Sequence, residues 1–280
     1  MYDVIIIGAG PAGITAGLYT QRGNLKTLII HNGKTPLENA NKIENYYGFE
    51  NGITGKELYF QGIRQAQNIG IDVKNEEVIK IEMVEKSFKV KTTKNEYISK
   101  TIIIAMGTKK KTLQIDGVKK FEGRGISYCA ICDGFFYRNK SVAVLGNGDY
   151  AISETNDLIN IVNDITILTN GKKKPEFRAD NVKIDTRVIK EISGEKKVEQ
   201  IEFEDGTRIN VNGIFIAQGV AGSTEFAKKL GAITSKDKIV VNEKMETNIK
   251  GLYACGDCTG GLLQISKAVY EGAIAGIQTS

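Results

Sequence analysis

The 280-residue chain holds one histidine, three prolines and four cysteines. With His31 alone, a histidine-based acid or base has a single candidate. The cysteines form two C-x-x-C pairs, which is not the disulfide framework of a small secreted protein; a reducing cytoplasm fits. No apolar run approaches a membrane span, so no membrane partner is expected. Few aromatics interleave with the scattered lysines, so no nucleic-acid partner is expected. Scarce proline beside abundant Lys, Ile and Asn reads as base composition of the gene. No leader is read, because residues 2–7 run straight into a glycine-rich turn.

What is present suffices for two ordinary domains: 41% hydrophobic and 25% charged residues. The net charge of +5 is mild and suits an acidic protein partner.

The same layout occurs twice. YDVIII (2–7) reads as a buried strand, GAGPAG (8–13) opens a helix, and LKTLII (25–30) is a second strand. SVAVL (141–145), GNGDYA (146–151) and ITIL (165–168) repeat the order. Each unit continues into a meander of short strands, at 78–83, 87–93 and 96–100 and again at 188–193, 197–205 and 208–212. Each meander ends in an apolar strand with a small-residue turn, TIIIAMG (101–107) and GIFIAQG (213–219). The repeat predicts an α/β protein of two Rossmann-like, three-layer dinucleotide-binding domains. IKGLYACGDCTGG (249–261) and the helical QISKAVYEGAIAG (264–276) have no counterpart in the second module and read as the closing piece of the first. The second domain, 114–242, is therefore expected as an insertion in the first, 1–113 with 243–280. The segments 107–113 and 242–248 are the candidate linkers and a plausible hinge.

In GAGPAG, Gly8 permits a tight turn, Gly10 lets the backbone approach a pyrophosphate, and Gly13 lets helix and strand pack closely. Pro11 and Ala12 begin the helix whose N–H groups face the phosphates. The acid that should end the second strand is missing; His31 and Asn32 stand there. His31 is read as lying near a ribose or exposed, rather than as catalytic.

Cys129 and Cys132 in CAICD can close a small disulfide ring, one thiolate attacking a partner disulfide and the other resolving it. Asp133 beside them can move a proton. The competing reading is zinc held by both C-x-x-C pairs. Against it, Cys255 and Cys258 bracket an Asp in a glycine turn far along the chain. That later pair reads as small buried fillers, with a redox role as the alternative, and no metal is expected.

GAGPAG, AMG (105–107), CGD (255–257) with QISKAVYEG, and IENYYGF (43–49) resemble the FAD-binding parts of thioredoxin reductases, and CAICDGFF resembles that family's redox signature. The resemblance covers nearly the whole chain. It implies FAD as cofactor, a thioredoxin as substrate, and usually a homodimer. It implies that Gly107 lies at the cofactor and that Asp257 binds its ribityl or phosphate side. It places Gln264, Ile265 and Asn45 at the isoalloxazine and the adenine near Val78. It makes Cys132 the sulfur that meets the flavin and Cys129 the interchange thiol. Tyr47 departs from the family, standing where a proline is usual; Cys255 replaces an alanine.

The second glycine motif keeps Gly146, Gly148 and Ala151, yet Thr169, Asn170 and Gly171 occupy the place of the family's basic His-Arg-Arg run. Lys172, Lys173 and Lys174 are displaced from it, and Lys is a poorer fork for a phosphate. Tyr150 stands where a small Ser is usual and is expected to crowd a nucleotide on the turn. These departures resemble the ferredoxin-dependent flavin thioredoxin reductases. They imply reduced ferredoxin as donor, with Lys109 to Lys111 and Lys172 to Lys174 as docking charges. The alternatives are an NAD(P)H-dependent reductase, a flavin dithiol oxidase using oxygen, and a redox-sensing FAD module.

Overall fold

A computed structural model describes residues 1–108, 113–219 and 221–279. The chain divides into two compact units: Met1–Lys109 with Gly222–Ser280, and Lys110–Ala221. The second unit is one continuous span set within the first, but it ends earlier than the sequence suggests. The chain re-enters the first unit at Gly222, not at 243. The reason is packing: the stretch beginning at Ser223 is an amphipathic helix laid on the first unit's meander, and the Ser223 hydroxyl donates to the Gly107 carbonyl at 2.6 Å.

The first unit begins with β1 (Tyr2–Ile7), α1 (Pro11–Arg22) and β2 (Thr27–His31). Val4 to Ile7 and Thr27 to Ile30 are buried without alternation, the pattern of strands covered on both faces of a parallel sheet. The helix α2 (Gly55–Asn68) and the strand β3 (Asp72–Asn75) follow, neither of which the sequence analysis placed. Thr54 caps α2 by accepting the Glu57 N–H at 3.1 Å. The meander is β4 (Val78–Val84), β5 (Ser87–Thr92) and β6 (Glu96–Ile104). The two expected strands 96–100 and 101–107 are thus one. Its first half pairs antiparallel with β5, and its second half runs parallel to β1.

In the second unit, α3 (Val118–Phe121), β7 (Ile126–Ser127) and α4 (Ala130–Asp133) precede β8 (Ser141–Leu145), α5 (Asp149–Leu158) and β9 (Asp164–Leu168). Then come β10 (Val182–Asp185), the meander β11 (Ile189–Ser193), β12 (Gln200–Phe203) and β13 (Arg208–Asn210), and β14 (Gly213–Ile216). Its parallel sheet has the order β10-β9-β8-β14-β7, beside the three-stranded meander.

The chain returns to the first unit with α6 (Ser223–Lys229), β15 (Thr234–Ser235), β16 (Lys238–Ile239), β17 (Leu252–Ala254) and α7 (Ile265–Gln278). β17 runs parallel to β6, with Leu252 beside Ile102. The first parallel sheet therefore reads β3-β2-β1-β6-β17. This is the α/β arrangement the repeat predicts: two parallel sheets, each with an antiparallel meander. α7 packs on α1 at backbone distance. A Cβ on Gly272 would lie 2.2 Å from the Ala12 carbonyl oxygen, so only glycine fits. Each unit has its own apolar core, one around Ile6, Ile29 and Ile103, the other around Phe121, Phe203 and Leu145. A fully buried Ile or Phe contributes about 1.5–3 kcal/mol. Among the described residues, no helix is long and apolar enough to cross a membrane.

Candidate functional site

In the first unit the glycine turn is built for close approach. Gly8 has φ +113°, and a Cβ there would meet the Ala105 carbonyl oxygen at 2.4 Å. A Cβ on Gly13 would lie 1.9 Å from the Gly8 oxygen. Gly10 differs: nothing lies within 4 Å of its Cβ position, and its φ of −73° strains no side chain. Pro11 opens α1, no side chain caps the helix, and its first turn has no acid. Backbone N–H groups left without a capping partner, facing open space, suit a phosphate.

The other residues expected at the cofactor gather round this turn in part. A Cβ on Gly256 would meet the Ala12 Cβ at 2.9 Å, so the turn holding Asp257 abuts the start of α1. Lys267 fixes that turn: its Nζ donates to the carbonyls of Gly256 at 2.8 Å and Gly260 at 2.6 Å, while pairing with Glu271 at 2.9 Å. Asn45 Nδ2 donates to Gln264 Oε1 at 3.1 Å, joining opposite ends of the chain. Ile265 opens α7 just after Gln264. Gly107, at φ +66°, follows β6. Val78 is buried at the start of β4, two residues past Glu76, whose N–H donates to the His31 carbonyl at 2.8 Å. That segment lies beside the end of β2. Replacing Gly10 by valine is expected to leave the fold intact and to strip the protein of bound dinucleotide. Thermal unfolding of the apoprotein and the visible absorbance per chain check both halves of this expectation.

His31 is half-buried, not poised in the open. Its Nδ1 accepts the Gly33 N–H at 3.1 Å and lies 3.0 Å from the Tyr59 hydroxyl. A ring nitrogen that accepts a backbone N–H carries no proton, so the imidazole's hydrogen is on Nε2. Burial lowers its pKa. The carboxylate nearest in backbone to the end of β2 is that of Glu76, whose N–H donates to the His31 carbonyl. It is committed to the fold, accepting from Thr92 Oγ1 at 2.6 Å, Asn95 Nδ2 at 2.9 Å and the Tyr97 hydroxyl at 3.0 Å. No spacing rule points to it, because it lies just past β3, far along the chain from the end of β2.

In the second unit Cys129 and Cys132 are joined by a disulfide, with Cα atoms 5.3 Å apart. Cys129 is buried and Cys132 exposed. The Cys132 N–H donates to the Cys129 sulfur at 3.2 Å, a donor aimed at the atom that becomes negative when the pair is reduced. Asp133 is half-buried and its Oδ2 accepts the Ser127 hydroxyl at 2.7 Å. Ser127 Oγ in turn accepts the Cys129 N–H at 3.1 Å. A carboxyl, a hydroxyl and the sulfur pair thus share one loop, which can carry both thiol exchange and its proton. Ile131, Phe135 and Phe136, from 50 to 68% exposed, form an apolar apron beside it.

The second glycine turn departs from the sequence reading. Tyr150 does not lie across it. The ring is 4% exposed, and its hydroxyl donates to the Tyr128 carbonyl at 3.3 Å, on the redox loop. The segment after β9 turns sharply, with its first residue buried and its third exposed. Thr169 is buried, Asn170 at φ 50° and Gly171 at φ 76° make the turn, and Asn170 Oδ1 accepts the Ile189 N–H at 2.7 Å. Lys172 to Lys174 are exposed; Lys109 to Lys111 lie outside the described residues. Sequence reasoning passed over Arg178. With Lys174, Phe177 and Val182 it lines an open pocket of about 410 Å³. Its signal was an arginine shortly downstream of the lysine run.

Cys255 and Cys258 are unpaired and fully buried. The Cys258 thiol lies 3.4 Å from the Ile104 carbonyl oxygen and 3.2 Å from that of Cys255. Burial raises both pKa values, that of Cys258 to about 12. At pH 7 a thiol of that pKa is ~10⁻⁵ ionised. Mild reduction followed by thiol titration is therefore expected to find two reactive cysteines per native chain and four after unfolding. Among the described residues, no group of three or more His, Cys, Asp or Glu is placed to hold a metal ion.

Comparison with known proteins gives a consistent picture. The model of the "Pyridine nucleotide-disulphide oxidoreductase" family matches residues 2–272. A thioredoxin reductase of Bacillus subtilis is 36% identical, with 98% of this chain and 92% of that protein covered. Among solved structures, the atypical thioredoxin reductase TRi of Desulfovibrio vulgaris Hildenborough is 34% identical, covers 100% of this chain and 97% of its own, and superposes with a TM-score of 0.89. A ferredoxin-flavin thioredoxin reductase of Clostridium acetobutylicum is 33% identical, covering 99% of this chain and 96% of its own, at a TM-score of 0.67.

Proposed function

The chain belongs to the pyridine nucleotide-disulphide oxidoreductase family as a thioredoxin reductase-like FAD flavoprotein, and from that premise we propose that it reduces a thioredoxin disulfide with electrons from reduced ferredoxin. The likeness to a solved ferredoxin-flavin thioredoxin reductase supports this donor. The observation that carries it is the turn at Thr169, Asn170 and Gly171, which offers no cationic side chain. Where a 2′-phosphate would need guanidinium forks, one side chain is buried and the next is spent on the Ile189 N–H.

The open space at Gly10 and the uncapped start of α1 fit the FAD pyrophosphate. Gly8, Gly10, Pro11, Ala12, Gly13, Gly107 and Asp257 would hold its phosphates and ribityl chain, Asn45, Gln264 and Ile265 its ring, and Val78 its adenine. FAD, when bound, supplies the two-electron chemistry that a disulfide needs from its donor. The protein's own part is thiol exchange. In the reduced pair, Cys129 as thiolate attacks the thioredoxin disulfide, forming a mixed disulfide and releasing one partner thiolate. Cys132 then attacks the Cys129 sulfur, the internal disulfide closes, and the second partner thiolate leaves. Asp133 supplies or removes the proton at the exchanging sulfur, with Ser127 holding its carboxylate in place. Cys129 reaches a protein disulfide only in a conformation that uncovers it. The apolar apron of Ile131, Phe135 and Phe136 suits a protein substrate. We place the enzyme in the cytoplasm and as a homodimer.

A second reading has NADPH or NADH as donor. The pocket bearing Lys174 and Arg178 favours it, because two cations there could meet a phosphate. Anaerobic mixing of the oxidised enzyme with each donor, watching the flavin band bleach, separates the two.

A further inference from the structure

The helix of the second glycine motif carries two buried polar side chains with a common target. Tyr150 and Glu154 sit four residues apart on α5, on one face and one turn from each other. Tyr150 is 4% exposed and Glu154 1%. A buried carboxyl group is stable where hydrogen bonds satisfy it. The Tyr150 hydroxyl donates to the Tyr128 carbonyl at 3.3 Å. Glu154 Oε2 accepts the Ala130 N–H at 2.8 Å. The first bond holds the peptide group entering Cys129, and the second holds the peptide group leaving it. A third bond, from the Cys129 N–H to Ser127 Oγ at 3.1 Å, fixes the same residue from within the loop. Cys132, by contrast, is exposed and belongs to a four-residue helix.

We infer that Tyr150 and Glu154 are positioning residues that hold the backbone of Cys129 still while the disulfide opens and closes, so that Cys132 makes the movement. The inference rests on the redox reading of the pair. Ring closure is a displacement at sulfur, in which the attacking, central and leaving atoms must line up. A misplacement near 1 Å costs on the order of 10²-fold in such steps. Holding one sulfur in register raises the effective concentration of the two toward each other. Without Glu154 the buried Ala130 N–H loses an acceptor, and the loop must shift to satisfy it.

The test uses the dithiothreitol-reduced holoprotein, freed of reductant, and the chromogenic disulfide 5,5′-dithiobis(2-nitrobenzoate). A protein thiolate first attacks the reagent, forming a mixed disulfide and releasing one thionitrobenzoate. The other cysteine then attacks the protein sulfur, closes the Cys129–Cys132 bond and releases the second. Both electrons of the dithiol end on the two thionitrobenzoates. The first phase depends on reagent concentration and the second does not.

Glu154→Ala is expected to slow the second phase about tenfold or more, leaving the first within about threefold. Glu154→Gln keeps an oxygen that can accept the Ala130 N–H, and is expected to restore closure to within about threefold of wild type. Tyr150→Phe, which removes only a hydroxyl, is expected to slow closure several-fold at unchanged FAD content. It carries the test if Glu154→Ala fails to fold. Wild-type closure rates in folded Glu154→Ala and in Tyr150→Phe would overturn the inference. So would closure in Glu154→Gln as slow as in Glu154→Ala, or equal slowing of both phases. If wild-type protein releases no thionitrobenzoate, the redox reading itself fails, and the two failures are told apart.

Discussion

Replacing Cys132 by serine is expected to abolish thioredoxin reduction while leaving FAD bound and the fold unchanged. The second sulfur of the pair is then gone, so the internal disulfide cannot form and the electron pair has no exit. A loss on the order of 10³-fold or more follows when the covalent centre of a thiol enzyme is removed. Cys129→Ser should show the same loss by a different route, since no interchange thiol remains. The two variants separate in a trapping experiment with thioredoxin. Cys132→Ser retains Cys129 and should accumulate a mixed disulfide, because nothing resolves it. Cys129→Ser should accumulate none. This is a sharp test because the exposures run the other way: Cys132 is exposed in the oxidised pair and Cys129 is 4% exposed. A mixed disulfide on Cys132 alone would reverse the assigned roles, and wild-type turnover in both variants would remove the pair from the mechanism.

The parts legible in the sequence were those set by local rules. Gly8, Gly10 and Gly13 announce a cradle because each has a distinct steric reason, and those reasons recur in the structure as Cβ positions at 2.4 Å, open space, and 1.9 Å. The two parallel sheets were legible because β1 and β8 are apolar runs that lead straight into glycine turns, with β2 and β9 following each helix as short, largely apolar strands. Tertiary packing decided the rest. β6 reads as two strands because its pattern changes from alternating to continuous at residue 101, where its partner on one side changes from β5 to β17. α6 falls inside the expected inserted unit because the small-residue turn after β14 reads as the close of the repeat and not as a crossing between units. Tyr150 illustrates the limit best. Its size at a small-residue position suggested crowding of a nucleotide, but a side chain on α5 can turn either toward the glycine turn or inward. The Tyr128 carbonyl draws it inward. Glu154 was passed over for the same reason: its partner, the Ala130 N–H, lies twenty-four residues away.

Reduced ferredoxin is expected to bleach the flavin band rapidly under anaerobic conditions, and NADPH to do so slowly or not at all. Losing a bidentate contact to a buried phosphate costs about 2–5 kcal/mol, which weakens binding tens- to thousands-fold. Thr169, Asn170 and Gly171 supply no guanidinium for such contacts at the end of β9, and Asn170 is already bonded to the Ile189 N–H. The buried placing of Tyr150 withdraws one argument, since its ring does not block the turn. NADH has no 2′-phosphate, so the missing guanidinium contacts do not bear on it, and it belongs in the titration as a third arm. Lys174 and Arg178 supply the counter-case, as exposed cations on one pocket. If they bind a nucleotide phosphate, Arg178→Ala should raise the NADPH concentration needed for half-maximal reduction by about tenfold. If they instead form part of a docking face for an acidic ferredoxin, charge reversal of Lys172 to Lys174 should slow ferredoxin oxidation and flatten its salt dependence. Saturation of flavin reduction at micromolar NADPH in the wild type, lost in Arg178→Ala, would refute the ferredoxin donor and make this chain a pyridine-nucleotide enzyme with an unusual phosphate site.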